Sequence, residues 1–116
     1  MHHSEKVIIV EGLTDKRQIE KLITEAVKII CTNGTLGVEK FDDLMDSYDL
    51  DNKEVYILVD EDESGWKLRK QLKQELPHAI DIFTSSEYRE VANTPRAILA
   101  AALATKHIAI DLSFLL

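Results

Sequence analysis

The chain has 116 residues, 45% hydrophobic and 30% charged, enough for one compact domain with one buried core and too few for a two-domain enzyme. Its single cysteine, Cys31, cannot form an internal disulfide, its four histidines, His2 and His3 among them, show no zinc-ligand spacing, and no apolar run approaches the roughly 18 residues of a membrane span. The net charge of −7 argues against a strongly basic nucleic-acid binder, but its distribution is uneven: Glu39 to Glu63 holds eleven acidic residues against Lys40 and Lys53, a balance of −9, so the remainder carries +2 and can still meet phosphate. The N-terminus MHHSEKVIIV has no signal-peptide pattern, so a cytoplasmic protein is expected, with residues 1–116 forming one domain and 1–5 a flexible tail.

Short β-branched runs alternate with amphipathic stretches, the pattern of an α/β fold with a mainly parallel sheet of about four to five strands flanked by helices. Val7 to Val10 reads as the first strand. Thr14 is placed to cap a helix in which Ile19, Leu22, Ile23 and Ala26 recur at helical spacing. Val27 to Cys31 is the second strand, closed by a turn at Asn33-Gly34. Val38, Phe41, Leu44, Met45 and Tyr48 share one face of a second helix, whose acidic residues form its solvated side. Val55 to Val59 is apolar throughout, as in a central strand buried on both faces. After Gly65 a third helix carries Leu68, Leu72 and Leu76 at successive fourth positions until Pro77 stops it. Ala79 to Phe83 is the fourth strand, Pro95 opens a helix running through Ala104, and Ile108 to Leu112 adds an edge strand.

Parallel strands deliver their C-terminal ends to one edge, where ligands of such folds bind. Glu11 directly follows the first strand and Asp60 the third, and Asp62, two residues on, points the same way as Asp60 in extended chain. Three carboxylates in one small volume raise one another's pKa unless a cation compensates them, and hard oxygen donors suit Mg²⁺, or Mn²⁺, bridging to a substrate phosphate. The same spacing is equally compatible with acids that cap helices or solvate loops. Gly12 and Gly65, beside the two acidic groups, permit close approach of backbone or substrate. Asp15 suits the first helix as an N-terminal acid and can also face the site. Lys67, Arg69, Lys70 and Lys73 make one side of the third helix basic, either a solvated face or a contact for a nucleic-acid backbone. Trp66 is expected to pack at that helix start, and Cys31 to serve as a small buried hydrophobe.

The segments VIIVEGLTD and VYILVDEDESG, with Glu11, Gly12, Asp60, Asp62 and Gly65 in this order and separation, resemble the Toprim domain of topoisomerases, primases and several nucleases, over about Val7 to Phe83. The resemblance implies a single-domain, three-layer Rossmann-like fold, divalent-metal binding by Asp60 and Asp62, and Glu11 as general acid or base in phosphodiester transfer. The nearest likeness is to the Toprim part of the ribonuclease that matures 5S ribosomal RNA, through Thr32-Asn33-Gly34 and, more loosely, Tyr88-Arg89-Glu90-Val91-Ala92, which makes Glu90 a fourth candidate acidic residue. That ribonuclease's further C-terminal region has no counterpart in these residues. Tyr48, Tyr56 and Tyr88 are expected to pack rather than attack, so topoisomerase chemistry by this chain alone is not expected.

Three readings compete. The first is a Mg²⁺-dependent nuclease acting on RNA or DNA, RNA favoured. The second is a non-catalytic Toprim module that binds nucleic acid or a protein partner, which the acidic balance supports. The third is a phosphoacceptor receiver domain; it lacks the acidic pair after the first strand, and Lys106 precedes rather than follows the last one. No phosphate-binding G-x-x-x-x-G-K loop occurs.

Overall fold

The apolar run at the N-terminus builds β1 (Lys6–Val10), the strand around which the sheet assembles. A computed structural model of the chain describes residues 5–33, 38–84 and 87–115. In chain order β1 is followed by α1 (Leu13–Leu22), β2 (Val27–Cys31), α2 (Val38–Tyr48), β3 (Glu54–Ile57), α3 (Glu63–Glu75), β4 (Ile80–Asp81) and α4 (Arg96–Thr105), with short 3₁₀ turns at Leu50–Asn52, Val91–Asn93 and Leu112–Leu115. The four strands are parallel, in the order β2-β1-β3-β4. The chain therefore turns to one side of β1 through α1 and to the other through α2, and the reversal opens a crevice between the C-terminal ends of β1 and β3.

Alternation along β1 divides the core into two layers. Ile8 and Val10 pack with Ile19 and Leu22 of α1 and Leu99, Ala100 and Leu103 of α4. Val7 and Ile9 face the other way, onto Phe41 of α2 and Leu68, Leu72 and Leu76 of α3. Every side chain from Val55 to Val59 is buried, as a strand covered on both faces requires. Each such fully buried Ile, Leu or Val stabilises the fold by roughly 1.5–3 kcal/mol, and the two layers together make the three-layer α/β arrangement.

Several boundaries differ from expectation for identifiable reasons. Gly12, not Thr14, is the residue before α1, and the Asp15 carboxylate accepts the Gly12 N–H at 3.1 Å. Helix α3 starts at Glu63, before Gly65, because Asp62 caps it. Pro95 stands just outside α4 rather than within its first turn. The fourth strand is confined to Ile80–Asp81; Ile82 still donates to Ile57 at 2.8 Å, but Phe83 is exposed. No strand forms at Ile108 to Leu112; the segment makes a single antiparallel bridge, Ile110 to Ile23. Cys31 is half-buried, and burial pushes its thiol pKa up. The expected turn at Gly34 and the tail residues 1–4 lie outside the described residues. Among the described residues no helix is long and apolar enough to cross a membrane.

Candidate metal centre

Glu11 leaves the end of β1 and Asp60 the end of the apolar run that begins in β3, so the crevice at the sheet's reversal receives both side chains. Glu11 Oε1 accepts the Asp60 backbone N–H at 3.0 Å, which ties the two strand ends together. Asp60 Oδ1 accepts the Val91 N–H at 2.9 Å, and Asp62 Oδ1 accepts the Gly65 N–H at 2.8 Å. Oxygens of Glu11, Asp60 and Asp62 lie within 4.8 Å of one another. Each carboxylate thus anchors one oxygen on a backbone amide, leaving its second oxygen without a hydrogen bond from the described residues.

Gly65 is indispensable to this arrangement. A Cβ there would stand 1.9 Å from the Asp60 carbonyl oxygen, so the first turn of α3 lies directly on the Asp60 backbone. Gly12 is different: a Cβ would meet nothing closer than Asp15 Oδ2 at 3.6 Å, and its backbone is extended.

Burial, opposed by the amide bond from Asp60 and reinforced by the charges of Asp60, Asp62 and Asp15, raises the pKa of Glu11 above the ordinary carboxylate range. Asp60 is raised by burial and by Asp62 and Glu90, against the Val91 amide bond. Asp15 holds Gly12 at the start of α1, and burial together with the charges of Asp60 and Glu90 raises its pKa. Glu90 lies outside the trio but within electrostatic reach of Asp60 and Asp15, on an exposed turn where it accepts from Asn93 Nδ2 at 3.0 Å.

The donor set fits a hard divalent cation. It consists of oxygens alone, and ligands of an octahedral ion with bonds of about 2.1 Å stand about 3 to 4.2 Å apart, so a spread of 4.8 Å closes by small side-chain rotations or through one bound water.

The basic side of α3 is not one surface. Lys67 and Lys70 are exposed, with Lys67 3.5 Å from Glu63, and Lys73 reaches Asp81 at 2.9 Å. Arg69 is 6% exposed and turned inward, which removes it from the expected nucleic-acid contact. Its Nη1 donates to the Ile57 carbonyl (3.1 Å) and Asp81 Oδ1 (3.0 Å), and its Nη2 to the carbonyls of Ile82 (2.8 Å) and Val59 (3.4 Å). Glu61, between the two site aspartates, lies 3.7 Å from the same guanidinium, and the Phe83 ring covers it at 4.4 Å. The sequence held a signal: Gly65, Leu68, Arg69, Leu72 and Leu76 form one helical stripe, so position 69 belongs to the buried face. Trp66 is 56% exposed and does not pack as expected.

Comparison with known proteins agrees with this fold. The chain is 46% identical over 115 residues to the uncharacterized protein YusF of Bacillus subtilis (strain 168), covering 99% of this chain and 77% of that one. It is also similar to the solved structure of a small TOPRIM domain protein from Bacillus stearothermophilus, with a TM-score of 0.90, 38% identity, and 99% and 96% of the two chains covered. The Toprim domain model matches residues 6–91. Domains of this family bind divalent metal and serve metal-dependent nucleic-acid chemistry. A match that runs from the first residue of β1 through Val91, past every acidic residue of the crevice, makes this chain a member of the Toprim domain family.

Proposed function

We propose that the protein cleaves phosphodiester bonds in nucleic acid with Mg²⁺, or Mn²⁺ in its place, RNA being the favoured substrate. The observation that carries this reading is the convergence of Glu11, Asp60 and Asp62 within 4.8 Å at the crevice between β1 and β3. Asp60 and Asp62 hold the cation, whose chemistry when bound is to offset negative charge on the phosphoryl oxygens. Asp62 reaches it from the cap position of α3 and Asp60 from the loop after β3, where the Gly65 and Val91 amides fix one oxygen of each. Glu11 exchanges a proton with the attacking or leaving oxygen. It stands beside both proposed ligands, its Oε1 holding the Asp60 amide, and its burial favours the protonated form that such exchange requires. Glu90, on the exposed turn, adds a fourth carboxylate at the rim. The preference for RNA rests on the likeness of Thr32-Asn33-Gly34 and, more loosely, of Tyr88-Arg89-Glu90-Val91-Ala92 to the 5S maturation ribonuclease. The phosphoacceptor reading has no remaining support once the family is known.

The test is incubation of purified protein with end-labelled structured RNA, single-stranded DNA and duplex DNA, in Mg²⁺, in Mn²⁺ and in chelator. Cleavage is expected with metal only. Glu11→Gln keeps the side-chain shape and the bond from the Asp60 amide, so it should lose about 10²- to 10⁴-fold in turnover while retaining metal-induced stabilisation. Wild-type turnover by Glu11→Gln would remove Glu11 from the chemistry. If wild type cleaves nothing yet binds nucleic acid or a protein partner, the non-catalytic module replaces the nuclease.

A further inference from the structure

Beside the carboxylates lies an open cleft of about 480 Å³, lined by Asp62, Glu63, Ser64, Lys67 and Arg89. We infer that this cleft is an anion subsite in which Arg89, Lys67 and the Ser64 hydroxyl hold a backbone phosphate of the bound strand, next to the phosphate that reaches the metal centre. The inference rests on the nucleic-acid reading above and adds Arg89, a residue to which the sequence assigns no role.

Two cations converge on a volume whose wall is Asp62, one of the residues proposed to hold metal. They come from different elements, Lys67 from the second turn of α3 and Arg89 from the turn before Val91–Asn93. The site is otherwise acidic, with Glu11, Asp15, Asp60, Asp62 and Glu90 acting on one another. A polyanion approaching the crevice is repelled by these groups unless cations meet it at the rim, and the cleft supplies them. Arg89 is held there by its backbone. Its φ is 55°, in the left-handed region that a residue of its size seldom occupies, and its carbonyl accepts the Glu61 N–H. The loop carrying Asp60 and Asp62 is thereby fastened to the residue that lines the cleft opposite α3. Lys67 has a local partner, Glu63 at 3.5 Å, but both side chains are largely exposed, and such a pair is readily exchanged for a phosphate. A planar guanidinium grips two phosphate oxygens at once, while an ammonium and a hydroxyl adapt to the third.

The subsite is tested in two arms. In the first, binding of a labelled single-stranded RNA is measured against salt for wild type, Arg89→Ala, Lys67→Ala, Glu63→Gln and, as a control at the far end of α1, Lys21→Ala. Each lost phosphate contact should make the slope of log K on log salt shallower by about 0.7, so Arg89→Ala and Lys67→Ala should bind more weakly with flatter slopes. Glu63→Gln frees Lys67 and should bind more tightly. The metal-induced rise in melting temperature should be the same in all five proteins. Wild-type affinity and slope in Arg89→Ala and Lys67→Ala would overturn the subsite while leaving the nucleic-acid reading intact. In the second arm, pyrophosphate is titrated in chelator and followed by amide NMR shifts. Shifts confined to Ser64–Lys67 and Arg89, absent in the Arg89→Ala/Lys67→Ala variant, support the subsite even if no RNA binds, in which case the nucleic-acid reading alone fails. Failure of both RNA and pyrophosphate to perturb these residues overturns it.

Discussion

Asp60 ends a run of five buried residues, so a charge stands where the backbone has only just left the core. With Glu11 and Asp15 it forms a group of carboxylates whose pKa values are all raised by burial and mutual repulsion. The sign of the consequence for stability follows. Below the ordinary carboxylate range, near pH 4, these groups are protonated in folded and unfolded chains alike and cost nothing. As pH rises the unfolded chain ionises first, so the folded state loses stability until its own raised pKa values are passed. In chelator, Asp60→Asn keeps an oxygen for the Val91 amide but removes the charge. It should therefore melt a few degrees above wild type at pH 7.5, and the difference should vanish towards pH 4. A difference independent of pH in thermal melts across that range would show that repulsion is not what the carboxylates contribute. The convergence of Glu11 with Asp60 and Asp62 was legible in the sequence, because strand ends and alternation suffice to bring them to one edge. The amides that hold them were not legible, since Val91 arrives from thirty-one residues away and only the tertiary fold brings it there.

Helix α3 carries three jobs on one short element: Asp62 caps it, Gly65 lets it lie on the Asp60 backbone, and Arg69 fastens the sheet beneath it. Arg69 touches the carbonyls of Ile57 and Val59 before the site and of Ile82 beyond β4, with Glu61 and Asp81 as its counter-charges. It is thus placed to set the position of the metal-holding loop without touching the metal. Removing one partner of a buried ion pair costs about 3–5 kcal/mol, so Arg69→Met should unfold at much lower urea. Arg69→Lys keeps the charge but not the forked set of carbonyl bonds; it should fold, yet bind Mn²⁺ about 10- to 100-fold more weakly, the effect expected when a group supporting metal ligands is lost. Mn²⁺ titration by electron paramagnetic resonance reads this directly, and wild-type affinity in Arg69→Lys would reduce Arg69 to a structural role. At this scale the sequence was read well where the apolar period is unbroken, as in β1, β2, α2 and the buried run from Val55. It was read poorly where tertiary contacts decide. The charge of Arg69 suggests a basic face, whereas its place in the stripe of Gly65, Leu68 and Leu72 puts it in the core. β-branched content suggests longer pairing than forms at the fourth strand and at Ile108 to Leu112; Ile110 pairs only in the single bridge to Ile23, and Ile108 and Ile110 bury their side chains in the core layer that holds α4.

The whole molecule carries −7, and two distinct sets of acids contribute to it. Asp42, Asp43 and Asp46 lie on the solvated side of α2, with Asp42 beside Gln71, Gln74 and Glu75 in the C-terminal half of α3. The crevice acids gather at the other end of α3, where Asp62 caps it. A divalent cation can therefore stabilise this protein in two ways, by screening the net charge or by binding the crevice, and the two sets separate them. Screening acts on every exposed carboxylate and weakens with added monovalent salt, because at 0.15 M charges more than about 8 Å apart already interact little. Binding to the native state alone stabilises by RT ln(1 + [M]/Kd), about 2.7 kcal/mol at a hundredfold excess over Kd, and one kcal/mol moves the melting temperature of a domain near 100 residues by about 4–8 °C. The combined variant Asp42→Asn, Asp43→Asn, Asp46→Asn should keep the full Mg²⁺-induced rise in 0.15 M KCl, because it alters net charge and leaves the crevice untouched. Asp60→Asn with Asp62→Asn, which alters net charge by one unit less, should abolish it while preserving the cap on α3 through the asparagine oxygen. Calorimetric melts of the two variants with and without Mg²⁺ decide the matter. An equal loss in both would mean that the cation answers to the charge of the whole chain, and the crevice would lose its claim to be a metal centre.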